Sequence, residues 1–142
     1  MNDWTRSTME DMRAHGGAIT QGPLAGVPAL ILTTTGARTG EKRTAVVDYT
    51  RSGDAYVIAA TKGGAPTNPH WYHNLVVNPQ ASIWVNGETF EATARVTTGS
   101  ERDMLYERHG DAIPVFKTYP SKTDRVIPVI VLTPVAAVAA ER

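Results

Sequence analysis

The sequence predicts a mainly β, α+β chain: a closed or nearly closed antiparallel barrel of about six strands with helices outside it. Three observations carry this. Short apolar, β-branched runs alternate with tight-turn signals through the middle of the chain. Asn86-Gly87 stands between two such runs and is a strong two-residue hairpin signal. No strand–helix–strand repeat is present to join parallel neighbours, and closing an antiparallel sheet removes its exposed edges.

Residues 2–15 read as a helix stopped by Gly16-Gly17, with Trp4, Met9, Met12 and Ile19 as its apolar side. Residues 21–28 are rich in Gly and Pro and read as a linker. The run 29–35 is a strand, 36–40 its turn, 44–51 the return strand and 55–61 a third strand, giving a meander of hairpins. Asn68-Pro69 reads as an N-cap followed by the first residue of a short helix, which runs to about Val77 and stops at Asn78-Pro79. Strands 81–85 and 88–96 flank the Asn86-Gly87 turn. Thr98 with Glu101 has the spacing of a capping box, opening a helix to about Gly110. Residues 113–124 are irregular, 125–133 form a last strand, and 135–142 are expected to be a loose tail or short helix.

A chain of 142 residues is expected to be one domain with a real core. Its 14 basic and 14 acidic residues cancel, which argues against a general nucleic-acid binder. With no cysteine, disulfides and thiolate metal sites are excluded, and a cytoplasmic location is the natural expectation. No apolar run reaches membrane-span length, and the N-terminus has no signal-peptide core. The mixed charges of the first helix give little support to membrane-surface contact.

Positive charge gathers in two places. Thr33–Arg43, TTTGARTGEKR, sets Arg38, Lys42 and Arg43 in and just after a Gly-bounded turn, with Thr39 and the preceding threonines as hydroxyl donors. Lys62-Gly63-Gly64 follows the third strand of the same meander, so both loops are expected on one rim. The plain reading is a pair of solvated loop tips. The functional one is a grip for phosphate or carboxylate groups. Neither stretch is a Walker loop or a Rossmann fingerprint. On the helix after Asn68, Trp71 and Asn74 share a face, where Trp71 serves either as a core anchor or as a wall beside a flat ring. His70 and His73 are also three apart, but no acidic residue or H-E-x-x-H accompanies them, so no metal site is expected. Phe116, Tyr119, Thr123 and Arg125 precede the apolar IPVIVL run, and the aromatics either pack the core or line a pocket. Neither a nucleophile motif nor a carboxylate pair is present, so a cofactor is expected to carry any chemistry.

Taken together, TTTGARTGEKR, KGGAPTNPHWYHNLVVNP and FKTYPSKTDRVIPVIVL resemble the deazaflavin-dependent nitroreductase family of actinobacteria, over residues 30–133. The resemblance implies a split β-barrel, akin to FMN-binding barrels, that binds coenzyme F420. It implies hydride transfer from the reduced deazaflavin to a quinone, a nitroaromatic or an unsaturated lactone or ketone. By position, Arg38, Thr39, Lys42 and Arg43 fall on the cofactor's anionic tail. Lys62, Gly63, Gly64 and Ala65 fall on the other side of that grip, and Asn68, Pro69, Trp71 and Asn74 on the helix beside the ring. Phe116, Tyr119 and Trp71 are implied to face the substrate, with Tyr119 as the donor that stabilises charge developing on the acceptor. Ala37 stands where a second basic residue is common, and Phe116 where a tyrosine is common. An FMN-dependent barrel oxidoreductase and a non-catalytic F420-binding carrier are the alternatives. A homodimer is common among related barrels.

Overall fold

The computed structural model describes residues 2–137. Helix α1 (Asp3–Ala14) starts where Asn2 Oδ1 accepts a hydrogen bond from Thr5 N at 2.7 Å. Seven strands follow: β1 (Ala29–Thr35), β2 (Lys42–Asp48), β3 (Thr50–Ser52), β4 (Ala55–Ala59), β5 (Gln80–Val85), β6 (Glu88–Val96) and β7 (Val129–Ala137). Helix α2 (His70–Val77) lies between β4 and β5, and α3 (Gly99–Ala112) between β6 and β7. Two short 3-10 segments, Lys62–Gly64 and Pro114–Lys122, complete the connections.

All the strands join one antiparallel sheet in the order β2-β1-β5-β6-β7-β4-β3. The expected return strand is one chain segment but two strands. Tyr49 N donates to Pro28 O at 3.0 Å, one step beyond the Ala29–Asp48 pair in the same register. Past that point the chain leaves β1, so β2 pairs with β1 while β3 pairs with β4. The two edges of the sheet are therefore consecutive pieces of one chain. Among the described residues no ladder closes the sheet, and the polypeptide crosses the split at Tyr49.

Alternation sorts each strand into an inward and an outward set. Leu30, Leu32, Ile58, Ile83, Val85, Ile130 and Leu132 point inward and fill the barrel, where Trp71 and Tyr72 of α2 pack against them. Ala29 and Ile31 point outward and are covered by Met12 of α1. Val57, Val129 and Val131 point outward on the other side, under Leu105 and Tyr106 of α3 and Phe116. Helices on the outside explain why β1 and β7 are apolar on both faces.

Four boundaries differ from expectation, each for a stated competitor. Asn68 is not the N-cap of α2: Pro69 takes that place, and the Asn68 side chain accepts from Arg125 instead. The capping box on α3 does not form. Thr98 makes no side-chain cap, and Glu101 instead receives both ends of the Arg95 guanidinium at 2.8 and 2.9 Å, a charge-assisted fork stronger than a neutral cap. The last strand starts at Val129, after Pro128, because Arg125 is drawn into another loop. It then continues to Ala137, taking in part of the expected tail, because a bulge opposite Glu91/Ala92 absorbs the residue after Pro134. Residues 138–142 of that tail lie outside the described residues.

Candidate functional site

Successive antiparallel pairing makes β1, β4 and β6 run the same way. The loops after them, residues 36–41, 60–69 and 97–128, therefore open on one rim. Both basic loops share that rim, as the sequence led us to expect, and α2 is the bridge between them.

The first loop is held from outside. Asn74, buried on α2, donates from Nδ2 to Thr34 Oγ1 at 3.0 Å and accepts from Ala37 N at 2.9 Å. Within the turn, Gly36 N donates to Glu41 O, Gly40 N to Gly36 O, and Glu41 N to Thr39 Oγ1. A side chain on Gly36 would meet Thr39 Oγ1 at 3.0 Å and Glu41 O at 3.1 Å, so the turn closes this tightly only with glycine there. Among the described residues, the N–H groups of Arg38 and Thr39 have no internal acceptor. The same turn lines a cleft of about 560 Å³ together with Arg43, His70, His73 and Asn74. Arg43 pairs with the exposed Glu41 at 2.9 Å, whereas Arg38 has no ion pair among the described residues. Free N–H groups and guanidinium groups around one opening are the kind of donors an anion would require.

Lys42 does not join this group. It pairs with Thr35, one residue off the Thr34–Arg43 pair, so it points to the opposite face. There its ammonium donates to Thr35 Oγ1 at 3.0 Å, in a separate shallow cleft with Gln80, Ser82 and Glu91.

The second loop is organised by Arg125, which the sequence reading left outside the candidate site. Its guanidinium donates to the carbonyls of Ala65 (2.9 Å), Ala60 (2.9 Å) and Thr61, and to Asn68 Oδ1 at 2.7 Å. Lys62 sits at φ +47 at the exposed tip, and its ammonium reaches Thr67 Oγ1 at 3.1 Å. Gly64 is buried at φ +84, and a side chain there would come within 2.8 Å of Lys122 Cβ. Gly64 is thus a packing requirement that brings the Pro114–Lys122 segment against the loop. Pro69 is buried at the start of α2, Ala65 is half-buried, and Gly63 is exposed beside Lys62.

The aromatic pair separates. Phe116 is 5% exposed, edge-on to His109 at 4.3 Å and to Tyr119 at 5.3 Å, and its carbonyl accepts from Tyr106 Oη. It packs α3 onto the barrel and offers no surface to a ligand. Tyr119 is half-buried, lies under the Lys122 ammonium at 5.6 Å, and has no hydrogen-bond partner for its hydroxyl among the described residues. Burial, and then the Asp48 carboxylate, push its phenol above the usual value. Trp71, half-buried, packs on the barrel core with Tyr72, so the anchor reading of that residue describes its position.

Two further titratable groups lie on this outer side. Burial pushes the Asp48 carboxyl up to about 6 and the His109 imidazole down to about 4. His109 Nδ1 meets Thr50 Oγ1 at 2.9 Å, while its Nε2 is buried without a partner. His109 lies in the last turn of α3, and its complete burial had no signal in the sequence. No cluster of metal-ligating side chains occurs among the described residues, and no helix among them is long and apolar enough to cross a membrane.

Comparison with known proteins bears on this rim. The family model described as F420H(2)-dependent quinone reductase matches residues 4–134. A curated F420H(2)-dependent quinone reductase of Mycobacterium tuberculosis is 42% identical over 112 residues, spanning 75% of this chain and 73% of that protein. Among solved structures, an F420-H2 dependent reductase (FDR-A) superposes with a TM-score of 0.68 at 36% identity, covering 74% of this chain and 93% of that one. A domain-swapped dimer superposes at 0.70 with 34% identity, covering 92% and 97%. An FAD-binding protein from Mesorhizobium loti, at 0.55 and 10% identity over 78% and 81%, shares the fold alone.

Proposed function

The chain belongs to the F420H(2)-dependent quinone reductase family, and we propose that it passes a hydride from reduced F420 to a conjugated acceptor, with quinones as the first class to test. It is an F420H2-dependent oxidoreductase whose cofactor is coenzyme F420. Nitroaromatics and unsaturated lactones or ketones are the further acceptor classes that the same chemistry would serve.

The observation that carries the reading is the 36–43 turn, with its two free N–H groups and the guanidinium groups of Arg38 and Arg43 around one cleft. These residues fit a polyanionic tail, and the donor set is of the kind such a tail requires. Lys62 and the exposed backbone beside it extend positive charge along the same rim. Arg125 and Asn74 contact no ligand in this reading; each holds one basic loop in place from opposite ends of the same segment. When bound, the deazaflavin supplies the hydride, so no protein nucleophile is needed. Tyr119, like any phenol, holds its proton at neutral pH, and burial pushes it further in that direction; we assign its free Oη the role of donor to the acceptor oxygen. The domain-swapped dimer among the relatives supports a homodimer as this chain's assembly.

Titration of the purified protein with oxidised F420, followed by fluorescence, tests the reading. Micromolar or tighter binding is expected, weakened about tenfold by Arg43→Ala and by Lys62→Ala and weakened again by salt. Absence of binding would overturn the assignment of the cleft, and FMN would be the next ligand to try.

A further inference from the structure

We propose that His70 and His73 are part of the anion grip, binding the cofactor tail as imidazolium ions, so that binding takes up protons and tightens as pH falls. The proposal rests on the reading of the cleft given above.

The two histidines are one turn apart on α2, and both line the 560 Å³ cleft opposite Arg38 and Arg43. Their placement is enforced. Trp71, Tyr72 and Leu75 pack against the barrel core, and the Asn74 amide is tied to Ala37 N and Thr34 Oγ1. Those contacts set the rotation of the helix, and residues 70 and 73 are left facing the turn. Both histidines are exposed. Neither has a side-chain hydrogen-bond partner among the described residues, and the ring centroids of Tyr72 and His73 lie 5.4 Å apart in an edge-to-face arrangement.

The charged groups facing the pair are Arg38 and Arg43 from the turn and β2, with Glu41 already paired to Arg43. On α2 itself, Asn74 is neutral and there is no acidic residue. An anion held between the guanidinium groups of Arg38 and Arg43 would be met on the α2 side by two more groups able to carry positive charge. Imidazole is the side chain that takes up that charge between pH 5 and 8. Occupancy and protonation are therefore linked: whatever polyanion enters raises the proton affinity of the pair, and lowering pH raises its affinity for the polyanion.

The test is a fluorescence titration with oxidised F420 at pH 6.0 and 8.0, at fixed low ionic strength, on the wild type, His70→Gln/His73→Gln and His70→Lys/His73→Lys. The Gln pair carries any titration that belongs to the ligand itself. Relative to that pair, the wild type is expected to gain about threefold to tenfold in affinity between pH 8.0 and 6.0. The Lys pair is expected to bind tightly at both values. Calorimetry of the wild type in two buffers of different ionisation enthalpy should show net proton uptake, and the Gln pair should show less. Coincident pH profiles for wild type and the Gln pair, with F420 still bound, would overturn this inference and leave the cofactor assignment intact. Failure of the wild type to bind F420 at either pH would overturn both.

Discussion

Asn74 and Tyr119 divide the work at the residue scale. Both were read from the sequence as site residues, but Asn74 spends its amide on Thr34 Oγ1 and Ala37 N, whereas the Tyr119 hydroxyl has no such partner. Removing the Asn74 amide leaves a buried hydroxyl and a turn N–H unsatisfied, so Asn74→Ala should lower stability by about 1–3 kcal/mol. It should weaken F420 binding as well, because the N–H groups of Arg38 and Thr39 lose their fixed direction; unfolding curves and the fluorescence titration check each half. Tyr119→Phe has the opposite signature. It should leave F420 affinity unchanged and lower turnover with a quinone acceptor by about tenfold to a hundredfold. Turnover equal to the wild type would remove Tyr119 from the chemistry.

At the scale of elements, the rim is two basic loops at the ends of one helical segment, roughly 10 Å apart by helix rise. Arg125 fastens one end and Asn74 the other. Lysine at position 125 keeps the charge but cannot reach three carbonyls and an amide oxygen in a planar fork. Arg125→Lys should therefore cost about 2–3 kcal/mol and raise hydrogen exchange in residues 60–68 selectively, leaving the 36–41 turn protected. Exchange that rises equally at both loops would contradict independent fastening. Much of this layer was legible. The first strand matches the expected 29–35 residue for residue, and the 88–96 strand and both glycine-bounded loops stand where turn chemistry put them. The capping box failed because Arg95, six residues before Glu101, took its carboxylate. The last strand was misplaced because Arg125 captured partners 57 to 65 residues away, which local propensity cannot register.

For the whole molecule, the two large shifts belong to buried Asp48 and His109, and they are expected to act on stability in opposite directions. Burial raises Asp48 to about 6 from an ordinary 3.8, so its contribution to stability is full below 3.8 and is lost as pH rises through 6. Burial lowers His109 to about 4 from 6.5, so its contribution is full above 6.5 and is lost as pH falls through 4. Each difference corresponds to about 3 kcal/mol at most, and the windows overlap. Wild-type stability should thus be nearly flat between pH 4 and 6.5. Asp48→Asn should be the more stable protein at pH 7, by about 1–3 kcal/mol, and should lose that advantage on acidification. Urea unfolding across pH 4.0–7.5 measures both slopes. A flat profile for Asp48→Asn would show that the two groups do not compensate.

What the amino-acid order determined by itself is everything set by neighbours along the chain. That covers the helix start at Asn2, the hairpins, the glycine-bounded basic loops, and the motif spacing that points to a deazaflavin reductase. Tertiary structure alone decided which of those residues meet. Strand parity turned Lys42 away from Arg43, burial took Phe116 into the packing under α3, and rotation of α2 brought His70 and His73 to the arginines. Each outcome depends on which face of an element is buried, a choice made by the packed core and absent from local sequence. The covalent crossing at Tyr49, which lets one segment form both edges of the sheet, belongs to the same class. It exists because the chain follows β1 as far as Tyr49 and then pairs with β4, which the folded sheet places on its far side beside β7.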